Sequence, residues 1–409
     1  MAGTDHRIDA AEAARRLGVK PATLYAYVSR GLLTRHRHPD GRHSLFDPDE
    51  IAGLRRRGGA EASGQFAFTS AVTALGRDRP FYRGRDALAL AATSSYESVA
   101  HWLWTGTDGT GGPLPWLSQP DAVAAAVSAQ EALPVDVLPL DRLHLAVTTL
   151  GVMDAMRFNL DPDAVTATTR TLIVGMVEAL PVRSRRRPVR AASVPERLWP
   201  RLTAKAPDPE LVDVLRAALV LLADHELAAS TIAARVAASV KADPYAVVAA
   251  ALGVVSGPMH GGASLGAERM LAQMRDPQDA ARVIGERLRQ GDRIPGIGHA
   301  VYKSGDARGD LLIQLLRQVA PDHPRLAVSD AAMSEIRGRG LPAPNCDFAV
   351  ATLTSVCDMT PGAGEAIFAI ARTAGWIAHA LEEYTRRSPF RPRASYVGAA
   401  LPPGAEPVS

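Results

Sequence analysis

The sequence predicts an all-α protein, and three observations support this prediction. Alanine, leucine and valine dominate a hydrophobic content of 47%, whereas aromatic residues account for only 5%. This composition favours helices that pack closely through small side chains over a β-sandwich. Small, apolar and aromatic residues also recur at helical spacing, for example from Ala87 to Gly106. With 409 residues, the chain can form two or three domains that each bury a core.

Charge separates the first 60 residues from the remainder. They hold 11 Lys/Arg and 7 Asp/Glu and so carry a charge of about +4, which leaves about −1 for the remainder, since the formal net charge of the chain is +3. The N-terminus has no apolar signal region, and apolar runs such as residues 246–255 are too short to cross a bilayer. We therefore expect a soluble, cytoplasmic protein. Its two cysteines, Cys346 and Cys357, are too few for a disulfide framework or a thiolate metal site and are expected to be reduced packing residues.

The N-terminal residues predict two short helices followed by a basic hairpin. Residues 11–17 predict a helix that ends at Gly18, and Pro21 suits the first turn of a second helix. Asp40-Gly41 is a favourable hairpin turn with arginine and histidine residues on both sides. This pattern is typical of a helix-turn-helix with a basic wing.

A third helix is predicted next, with Asp47 as its N-cap, Pro48 in its first turn and Glu50 as the capping-box partner. Residues 7–57 thus resemble the winged helix-turn-helix of MerR-like regulators and excisionases. In that family the second helix enters the major groove and the wing contacts phosphates. The resemblance implies these DNA contacts: Lys20, Thr23, Tyr25, Tyr27, Arg35, Arg37 and Arg42. Alternatively, the module packs on the rest of the protein or on a partner, and its charges form a solvated face.

The segments that follow continue the helical pattern. Residues 58–64 have the composition of a linker. Residues 211–252 predict two long alanine- and valine-rich helices that Asp243-Pro244 separates, with His225-Glu226 at the start of an alanine-rich helix. The C-terminal tail, rich in proline, is expected to be disordered.

Three segments carry residues suited to catalysis. His260 has glycines on both sides, in Gly-Pro-Met-His-Gly-Gly-Ala, and His299 follows Gly298, in Gly-Ile-Gly-His-Ala-Val-Tyr-Lys. Glycines let a backbone and an imidazole approach a ligand closely. Asp347 lies in Asn-Cys-Asp-Phe among apolar neighbours, where desolvation would raise its pKa toward that of a general base. Arg372 lies in an otherwise apolar helix together with Phe368 and His379, and a buried arginine requires an anion.

These segments, in this order, are similar to those of the citrate synthase family, from about Phe81 to Gly398. The family motifs include Gly-Pro-x-His-Gly-Gly-Ala, Gly-x-Gly-His-x-Val-Tyr-Lys followed by Asp-Pro-Arg, and Asn-x-Asp-Phe. The resemblance implies an all-α, citrate-synthase-like fold of two helical domains after the winged module. The implied boundaries are 1–60 for the winged module, 61–261 with 359–398 for the large domain, 262–358 for the small domain and 399–409 for the tail.

The resemblance implies an acyltransferase that condenses acetyl-CoA with oxaloacetate, the acyl group becoming an alkyl group on transfer. Asp347 would remove the α-proton, His260 would hydrogen-bond the enolate as a neutral imidazole, and His299 would polarise the ketone and protonate the alkoxide. The residues implied to bind the oxo dicarboxylate are His225, Arg308, Phe368, Arg372 and Arg391. Arg391 would come from the neighbouring subunit of a homodimer. The backbone of Pro295, Gly296, Ile297 and Gly298 would bind CoA.

No cofactor, metal or membrane is implied beyond the acyl-CoA substrate. A zinc site from His225, His260 and His299 fits poorly, because none of them pair at i, i+4 and no cysteine lies nearby in the sequence. Three departures from the family pattern indicate altered packing or substrate preference: Leu222 replaces a histidine, Ala307 replaces a proline, and Ala349-Val350-Ala351 replaces Tyr/Ser-rich residues.

Two alternatives stay open from the sequence. A 2-methylcitrate synthase would use propionyl-CoA, and one methyl group is worth only about 1–3 kcal/mol of discrimination. A DNA-binding regulator could use a synthase-like domain to sense oxaloacetate or CoA esters. The presence of Asp347 argues against a pure sensor, since ligand binding requires the arginines but not the base.

Overall fold

The computed structural model describes residues 7–17, 19, 21–29, 32–37, 43–52, 68–108, 116–184 and 192–392. They belong to two compact units, an N-terminal unit of Met1–Thr69 with Arg391–Ser409 and a helical unit of Ser70–Phe390. The predicted linker at residues 58–64, the Asp40-Gly41 turn and the tail from residue 399 lie outside the described residues. Within the described parts, no helix is both long and apolar enough to cross a membrane.

The N-terminal unit combines short helices with a small antiparallel sheet. Its elements are β1 (Ile8–Asp9), α1 (Ala10–Leu17), α2 (Pro21–Ser29), β2 (His36–Arg37), β3 (Ser44–Phe46) and α3 (described over 48–52). The strand order is β1-β3-β2, with His36 opposite Leu45. Leu24, Phe46 and Ile51 are among the residues that form its core. The helices predicted at residues 11–17 and from Pro21 are thus confirmed.

The predicted N-cap of α3, Asp47, is confirmed, but the predicted role of Glu50 as the capping-box partner is wrong. Asp47 Oδ1 accepts a hydrogen bond from the Asp49 backbone N (2.7 Å), as an N-cap does. The Glu50 carboxylate instead accepts from the backbone N (2.8 Å) and the hydroxyl (2.9 Å) of Thr34. Glu50 therefore ties α3 to the segment before β2 rather than completing a capping box.

The helical unit starts with a three-stranded antiparallel sheet, and the later elements among the described residues are helices, which confirms the all-α prediction. The strands are β4 (Thr73–Leu75), β5 (Pro80–Tyr82) and β6 (Arg85–Asp86). The helices in its first half are α4 (Ala87–Thr93), α5 (Tyr96–Thr105), α6 (Pro120–Ser128), α7 (Pro139–Met153), α8 (Pro162–Ala179) and α9 (Val194–Leu202). The later helices are α10 (Pro209–Leu222), α11 (Ala229–Ser239), α12 (Pro244–Val255), α13 (Gly262–Gln273), α14 (Asp279–Arg289), α15 (Ala307–Val319), α16 (Pro324–Gly338), α17 (Cys346–Val356) and α18 (Ala363–Tyr384).

Helix α18 is the central element of the helical unit. Its residues from Ala363 to Ala380 are all buried, and it packs against helices α5, α7, α8, α10, α11, α12, α13 and α17. Alanine and glycine recur in its sequence, so neighbouring helices can approach its backbone closely. Glu268 of α13 receives the first turn of α18, accepting hydrogen bonds from the backbone N of Gly362 and Gly364 at 2.7 Å each.

The prediction of two long helices over residues 211–252 was wrong, because three helices occupy this region. The Asp243-Pro244 break is confirmed, and Asp243 caps α12 through bonds to the backbone N of Tyr245 and Ala246. A second break separates α10 from α11 between Leu222 and Ala229. His225-Glu226 therefore lies in this break and not at the start of a helix.

Candidate active site

His225 occupies the break between α10 and α11, and the turn around it is held by its neighbours. Asp224 Oδ2 accepts a hydrogen bond from the Glu226 backbone N (3.0 Å), and Glu226 adopts a left-handed conformation (φ 52°). This turn directs the His225 side chain toward Tyr302, where His225 Nε2 lies 2.9 Å from the phenol oxygen. His225 is only 8% exposed.

His299 has a defined tautomer because two backbone groups donate to the same ring nitrogen. Its Nδ1 accepts hydrogen bonds from the backbone N of Val301 (3.0 Å) and of Tyr302 (3.1 Å). The proton of the neutral ring must therefore be on Nε2. The ring stacks on Tyr302 at 4.6 Å and meets the His225 ring edge-on at 5.1 Å.

His260 lies at the junction between α12 and α13, where glycine is required. A Cβ on Gly261 would lie 2.6 Å from the Val255 carbonyl oxygen, so only glycine permits this close turn. His260 Nε2 lies 2.7 Å from Ser230 Oγ, and its ring contacts Phe368 edge-on at 5.4 Å. Ser230 Oγ also accepts a hydrogen bond from Trp376 Nε1 (3.2 Å).

Asp347 lies in the first turn of α17, behind the N-cap residue Asn345. Asn345 Oδ1 accepts from the Asp347 backbone N (2.9 Å), and Ser264 Oγ donates to Asp347 Oδ1 (3.1 Å). Burial raises the pKa of Asp347 to about 6, although Ser264 and the charge of Arg308 act in the opposite direction. A carboxyl group with this pKa is suited to general-base catalysis near neutral pH.

The three histidines of the site are neutral at physiological pH. Burial lowers the pKa of His260 to about 4, assisted by the charge of Arg372. Burial and the charge of Arg308 likewise lower the pKa of His299 to about 4. The pKa of His225 is lowered well below its usual value by the same causes. Neutral imidazoles can donate a hydrogen bond to a developing oxyanion.

Two buried arginines face this group of side chains, and they differ in their partners. Arg308 forms a bidentate pair with Asp306 (Nε–Oδ1 and Nη2–Oδ2, both 2.9 Å). Arg372 donates from Nε to the Leu222 carbonyl (2.7 Å), and its guanidinium lies 4.5 Å from the centroid of the Phe368 ring. Among the described residues, no carboxylate forms an ion pair with Arg372, which is only 2% exposed. A buried guanidinium of this kind is suited to binding an anionic ligand.

A chain of contacts connects Arg308 with Asp347. The Arg308 guanidinium lies 5.5 Å from the centroid of the Tyr302 ring. Asp306, its ion-pair partner, also accepts a hydrogen bond from the Cys346 backbone N (3.1 Å). Because Cys346 directly precedes Asp347, the same carboxylate fixes both the arginine and the backbone beside Asp347.

The loop from Pro295 to Gly298 is held against the start of α17. Asn345 donates from its backbone N to Gly296 O (2.9 Å) and from Nδ2 to Gly298 O (2.7 Å). Both glycines have positive φ, 76° and 70°, and a Cβ on Gly296 would lie 2.9 Å from Phe348 Cβ. The backbone that is predicted to bind CoA is thus linked directly to the residues flanking Asp347.

The structure brings together His225, His260, His299, Arg308, Asp347, Phe368 and Arg372 within the helical unit. Arg391 is exposed and belongs to the other compact unit, so its predicted role stays a prediction. Among the described residues, no cluster of histidine, cysteine, aspartate or glutamate could hold a metal ion.

The predicted DNA contacts are only partly described. Lys20 and Arg42 lie outside the described residues, and Arg37 is described only as a residue of β2. Thr23 and Tyr27 are partly buried, whereas Tyr25 is 41% exposed. The guanidinium of the exposed Arg35 lies 5.9 Å from the centroid of the Tyr25 ring.

Five residues that complete the site were not predicted from the sequence: Ser230, Ser264, Tyr302, Asp306 and Trp376. Tyr302 and Asp306 lie inside the segment that joins His299 to Arg308, so their spacing could have indicated them. Ser230 has no comparable signal, because a serine in an alanine-rich helix is ordinary.

The sequence matches two family models. The model of the citrate synthase C-terminal domain matches residues 61–393, and that of the MerR HTH regulatory proteins matches residues 9–56. The chain is 32% identical to citrate synthase 2 of Bacillus subtilis over 82% of this chain and 94% of that protein. It is 30% identical to 2-methylcitrate synthase 2 of Corynebacterium glutamicum over 78% of this chain and 88% of that protein.

Solved structures show the same fold. Citrate synthase from Thermoplasma acidophilum, in a ternary complex with carboxymethyl coenzyme A and oxaloacetate, superposes with a TM-score of 0.70 at 22% identity, covering 85% of this chain and 98% of that one. Citrate synthase from Pyrobaculum aerophilum superposes with a TM-score of 0.70 at 24% identity, covering 92% and 97%.

Proposed function

Because this chain belongs to the citrate synthase family, we propose that it condenses acetyl-CoA with oxaloacetate and hydrolyses the thioester to release citrate and CoA. One observation carries the proposal. A carboxylate with a pKa of about 6, neutral imidazoles and two buried arginines occupy one connected site. This set supplies a base, two hydrogen-bond donors and the cations for a dianion.

The first step is removal of a proton from the α-carbon of the thioester. That proton is only weakly acidic, so its removal requires a positioned base and a donor at the developing enolate oxygen. Asp347 takes the proton. Because Trp376 donates to Ser230 Oγ, the serine hydroxyl proton is free to bond His260 Nε2, which leaves His260 Nδ1–H to stabilise the enolate.

The second step forms a carbon–carbon bond between the enolate and the ketone carbon of oxaloacetate. His299 carries its proton on Nε2, so it can polarise the ketone and then protonate the resulting alkoxide. Arg308, Arg372 and His225 bind the carboxylates of the oxo acid. Water then cleaves the thioester, the acyl carbon keeps the hydroxyl oxygen, and CoA leaves as the free thiol.

Propionyl-CoA is the second candidate substrate, and the similarity to 2-methylcitrate synthases supports it. Citrate synthases and 2-methylcitrate synthases are similar to this chain at 32% and 30% identity. The two acyl groups differ by one methyl group, which is worth about 1–3 kcal/mol in an apolar pocket. We therefore propose activity with at least one of the two esters.

Release of free thiol tests the proposal directly. Purified protein is mixed with oxaloacetate and either acetyl-CoA or propionyl-CoA, and Asp347→Ala serves as the control. We expect thiol release by the wild type with at least one ester and none above background by the variant. No release with either ester would refute the enzyme proposal and favour a sensor that binds these ligands without turnover.

We further propose that the active form is a homodimer in which Arg391 completes the site of the neighbouring subunit. An exposed apolar stripe along α11 and its C-cap supports an interface, since Ile232, Val236 and the C-cap residue Val240 are 38%, 40% and 64% exposed at helical spacing. Met259, which precedes His260, is 87% exposed. A partner copy that covers these residues would bring its own side chains beside His260.

DNA binding by the N-terminal unit is also proposed. It is supported by the similarity of residues 9–56 to MerR regulators and by the exposed pair of Tyr25 and Arg35. Arginines beside an exposed aromatic ring can contact phosphate and sugar at once. The full chain would then be a DNA-bound enzyme or a metabolite-sensing regulator, with the N-terminal unit binding DNA and the helical unit binding oxaloacetate and acyl-CoA.

A further inference from the structure

We propose that Asp224, His379 and Arg235 form a relay that positions His225 for the oxo acid. This inference rests on the proposed function, since it concerns the binding of that substrate. None of the three side chains belongs to the set assigned above to catalysis or substrate binding. They act on His225 through the turn that carries it, so they are positioning residues.

The relay begins with a fully buried arginine on α11. Arg235 is 0% exposed and donates from Nε to Glu383 Oε1 (2.8 Å) and from Nη1 to Glu382 Oε2 (2.8 Å). The same Nη1 donates to His379 Nδ1 (2.7 Å). Two carboxylates at the end of α18 thus compensate the buried guanidinium while it holds the histidine.

The arginine fixes the tautomer of His379. A guanidinium can only donate hydrogen bonds, so His379 Nδ1 must accept and the ring proton must be on Nε2. His379 Nε2 lies 3.4 Å from Asp224 Oδ2, so it donates to this carboxylate. The direction of every hydrogen bond from Arg235 to Asp224 is therefore determined.

The last member of the relay controls the turn around His225. Asp224 Oδ2 accepts hydrogen bonds from His379 and from the Glu226 backbone N (3.0 Å). Because Asp224 and Glu226 flank His225 in the sequence, this bond closes the turn that carries His225. Glu226 has a positive φ of 52°, a conformation that non-glycine residues adopt only where neighbours enforce it. Asp224 is the neighbour that enforces it.

Helix α18 also holds this break at two further points. Arg372 Nε donates to the Leu222 carbonyl (2.7 Å), and the Gly375 backbone N donates to the Ala223 carbonyl (3.0 Å). A Cβ on Gly375 would lie 2.2 Å from Asp224 Oδ1. Residues 372, 375 and 379 share one face of α18, so a single helix positions the substrate arginine and the turn that carries His225.

Substitution of His379 tests the relay with the full-length protein. His379→Leu removes both ring nitrogens, whereas His379→Gln keeps one acceptor for Arg235 and one donor for Asp224. Thr373→Val is the matched control, because Thr373 is also buried in α18. Among the described residues, its hydroxyl bonds Ala369 O of its own helix (2.8 Å) and the sulfur of Met176 (3.9 Å). Arg235 is not substituted, since its loss would leave two carboxylates without their cation.

We expect His379→Leu to raise the KM for oxaloacetate, and the dissociation constant of oxaloacetate measured by calorimetry without acyl-CoA, by roughly 10- to 100-fold. The KM for acyl-CoA should stay within about twofold of wild type. His379→Gln should recover most of the oxaloacetate affinity, and Thr373→Val should leave it unchanged. Should His379→Leu fail to fold, Asp224→Asn replaces it, with the same expectation.

Three outcomes would overturn the relay. The first is an unchanged oxaloacetate affinity in His379→Leu, and the second is an equal loss in Thr373→Val. The third is a wild type that does not bind oxaloacetate at all. If the wild type binds oxaloacetate but releases no thiol, the proposed enzymatic function fails while the calorimetric comparison still decides the relay.

Discussion

At the scale of single residues, Asp347 shows how the proposed role of a general base opposes stability. It lies in the first turn of a helix and accepts a hydrogen bond from Ser264, yet burial raises its pKa to about 6. A helix N-terminus and a hydrogen-bond donor normally lower the pKa of a carboxyl group. The desolvation that would suit Asp347 to the proposed role of base therefore makes its charged form costly for the folded state.

Asp347→Asn should stabilise the protein at neutral pH. A carboxyl pKa raised from 3.8 to about 6 means that the folded state binds the proton more tightly than the unfolded state, so ionisation destabilises the fold. We expect the free energy of unfolding to rise by up to about 3 kcal/mol at pH 7.5. The gain should shrink as the pH falls below 6 and be less than about 1 kcal/mol near pH 4, because only below the unfolded-state pKa of 3.8 is the wild-type carboxyl protonated in both states.

Urea denaturation of both proteins at these two pH values measures the effect. Asp276→Asn, which removes the same charge at an exposed position, is the control and should show no such gain. A lower stability of Asp347→Asn than wild type at pH 7.5 would contradict the argument from desolvation.

The residues of the site were predictable from the sequence only where a reactive side chain lies within a distinctive local motif. His260, His299, Asp347 and the two arginines lie in short segments whose glycines or apolar neighbours distinguish them. Ser230 lies in an ordinary alanine-rich helix, and its role depends on a tertiary contact with His260 at 2.7 Å. No local pattern encodes such a contact.

At the scale of elements, Gly296 in the loop from Pro295 to Gly298 and Gly291 before that loop offer a matched pair of glycine substitutions. Gly296 (φ 76°) and Gly291 (φ 78°) have nearly the same backbone conformation, so alanine should cost about 1–2 kcal/mol of stability at either position. Only at Gly296 would the new Cβ meet another residue, Phe348 at 2.9 Å, whereas nothing lies within 4 Å at Gly291.

Gly296→Ala should therefore displace the start of α17, including Asp347, while Gly291→Ala should affect stability alone. We expect kcat/KM for acyl-CoA to fall roughly 10- to 100-fold in Gly296→Ala and to stay near wild type in Gly291→Ala. Steady-state kinetics at saturating oxaloacetate and denaturation curves distinguish the two effects. Equal kinetic losses in both variants would show that backbone strain, and not the contact with Phe348, is responsible.

The helices were predictable as a class, but the break at His225 was not. Leucine and alanine on both sides of residues 223–228 have high helix propensity, so the sequence predicts helix across them. The break exists because Asp224 is fully buried against His379 and the Glu226 backbone. Tertiary burial of one carboxylate thus overrides the propensity of the residues around it.

At the scale of the whole molecule, mixing of two inactive variants tests whether Arg391 acts across a dimer interface. Asp347→Ala and Arg391→Ala homodimers should each have little activity. In a heterodimer, the subunit that keeps Asp347 receives an intact Arg391 from its partner, so one site of two is native. Random mixing of equal amounts should restore about a quarter of wild-type activity.

Thiol release after denaturation and co-refolding measures this recovery, and separately refolded variants combined afterwards are the control. If Arg391 acts within its own subunit, every site in the mixture carries a defect and no activity returns.

The N-terminal unit should bind DNA independently of the catalytic chemistry. Four of its predicted contacts are cations, Lys20, Arg35, Arg37 and Arg42, and four phosphate contacts would lower affinity roughly 100-fold between about 50 and 200 mM salt. Mobility shifts with a mixed-sequence duplex should show this dependence for the full chain. A variant lacking residues 1–60 should lose binding and retain thiol release. Equal binding by both proteins would exclude the N-terminal unit as the DNA contact.

The central helix has a consequence for how this sequence can diverge. Phe368, Arg372, Gly375, Trp376 and His379 each make a separate contact from one face of α18. One inserted or deleted residue would rotate every later side chain by about 100° and remove several of these contacts together. A point substitution changes one of these contacts at a time, whereas an insertion or deletion changes several of them at once. Natural variants should therefore differ in length in the surface loops and preserve the residue count between Phe368 and His379.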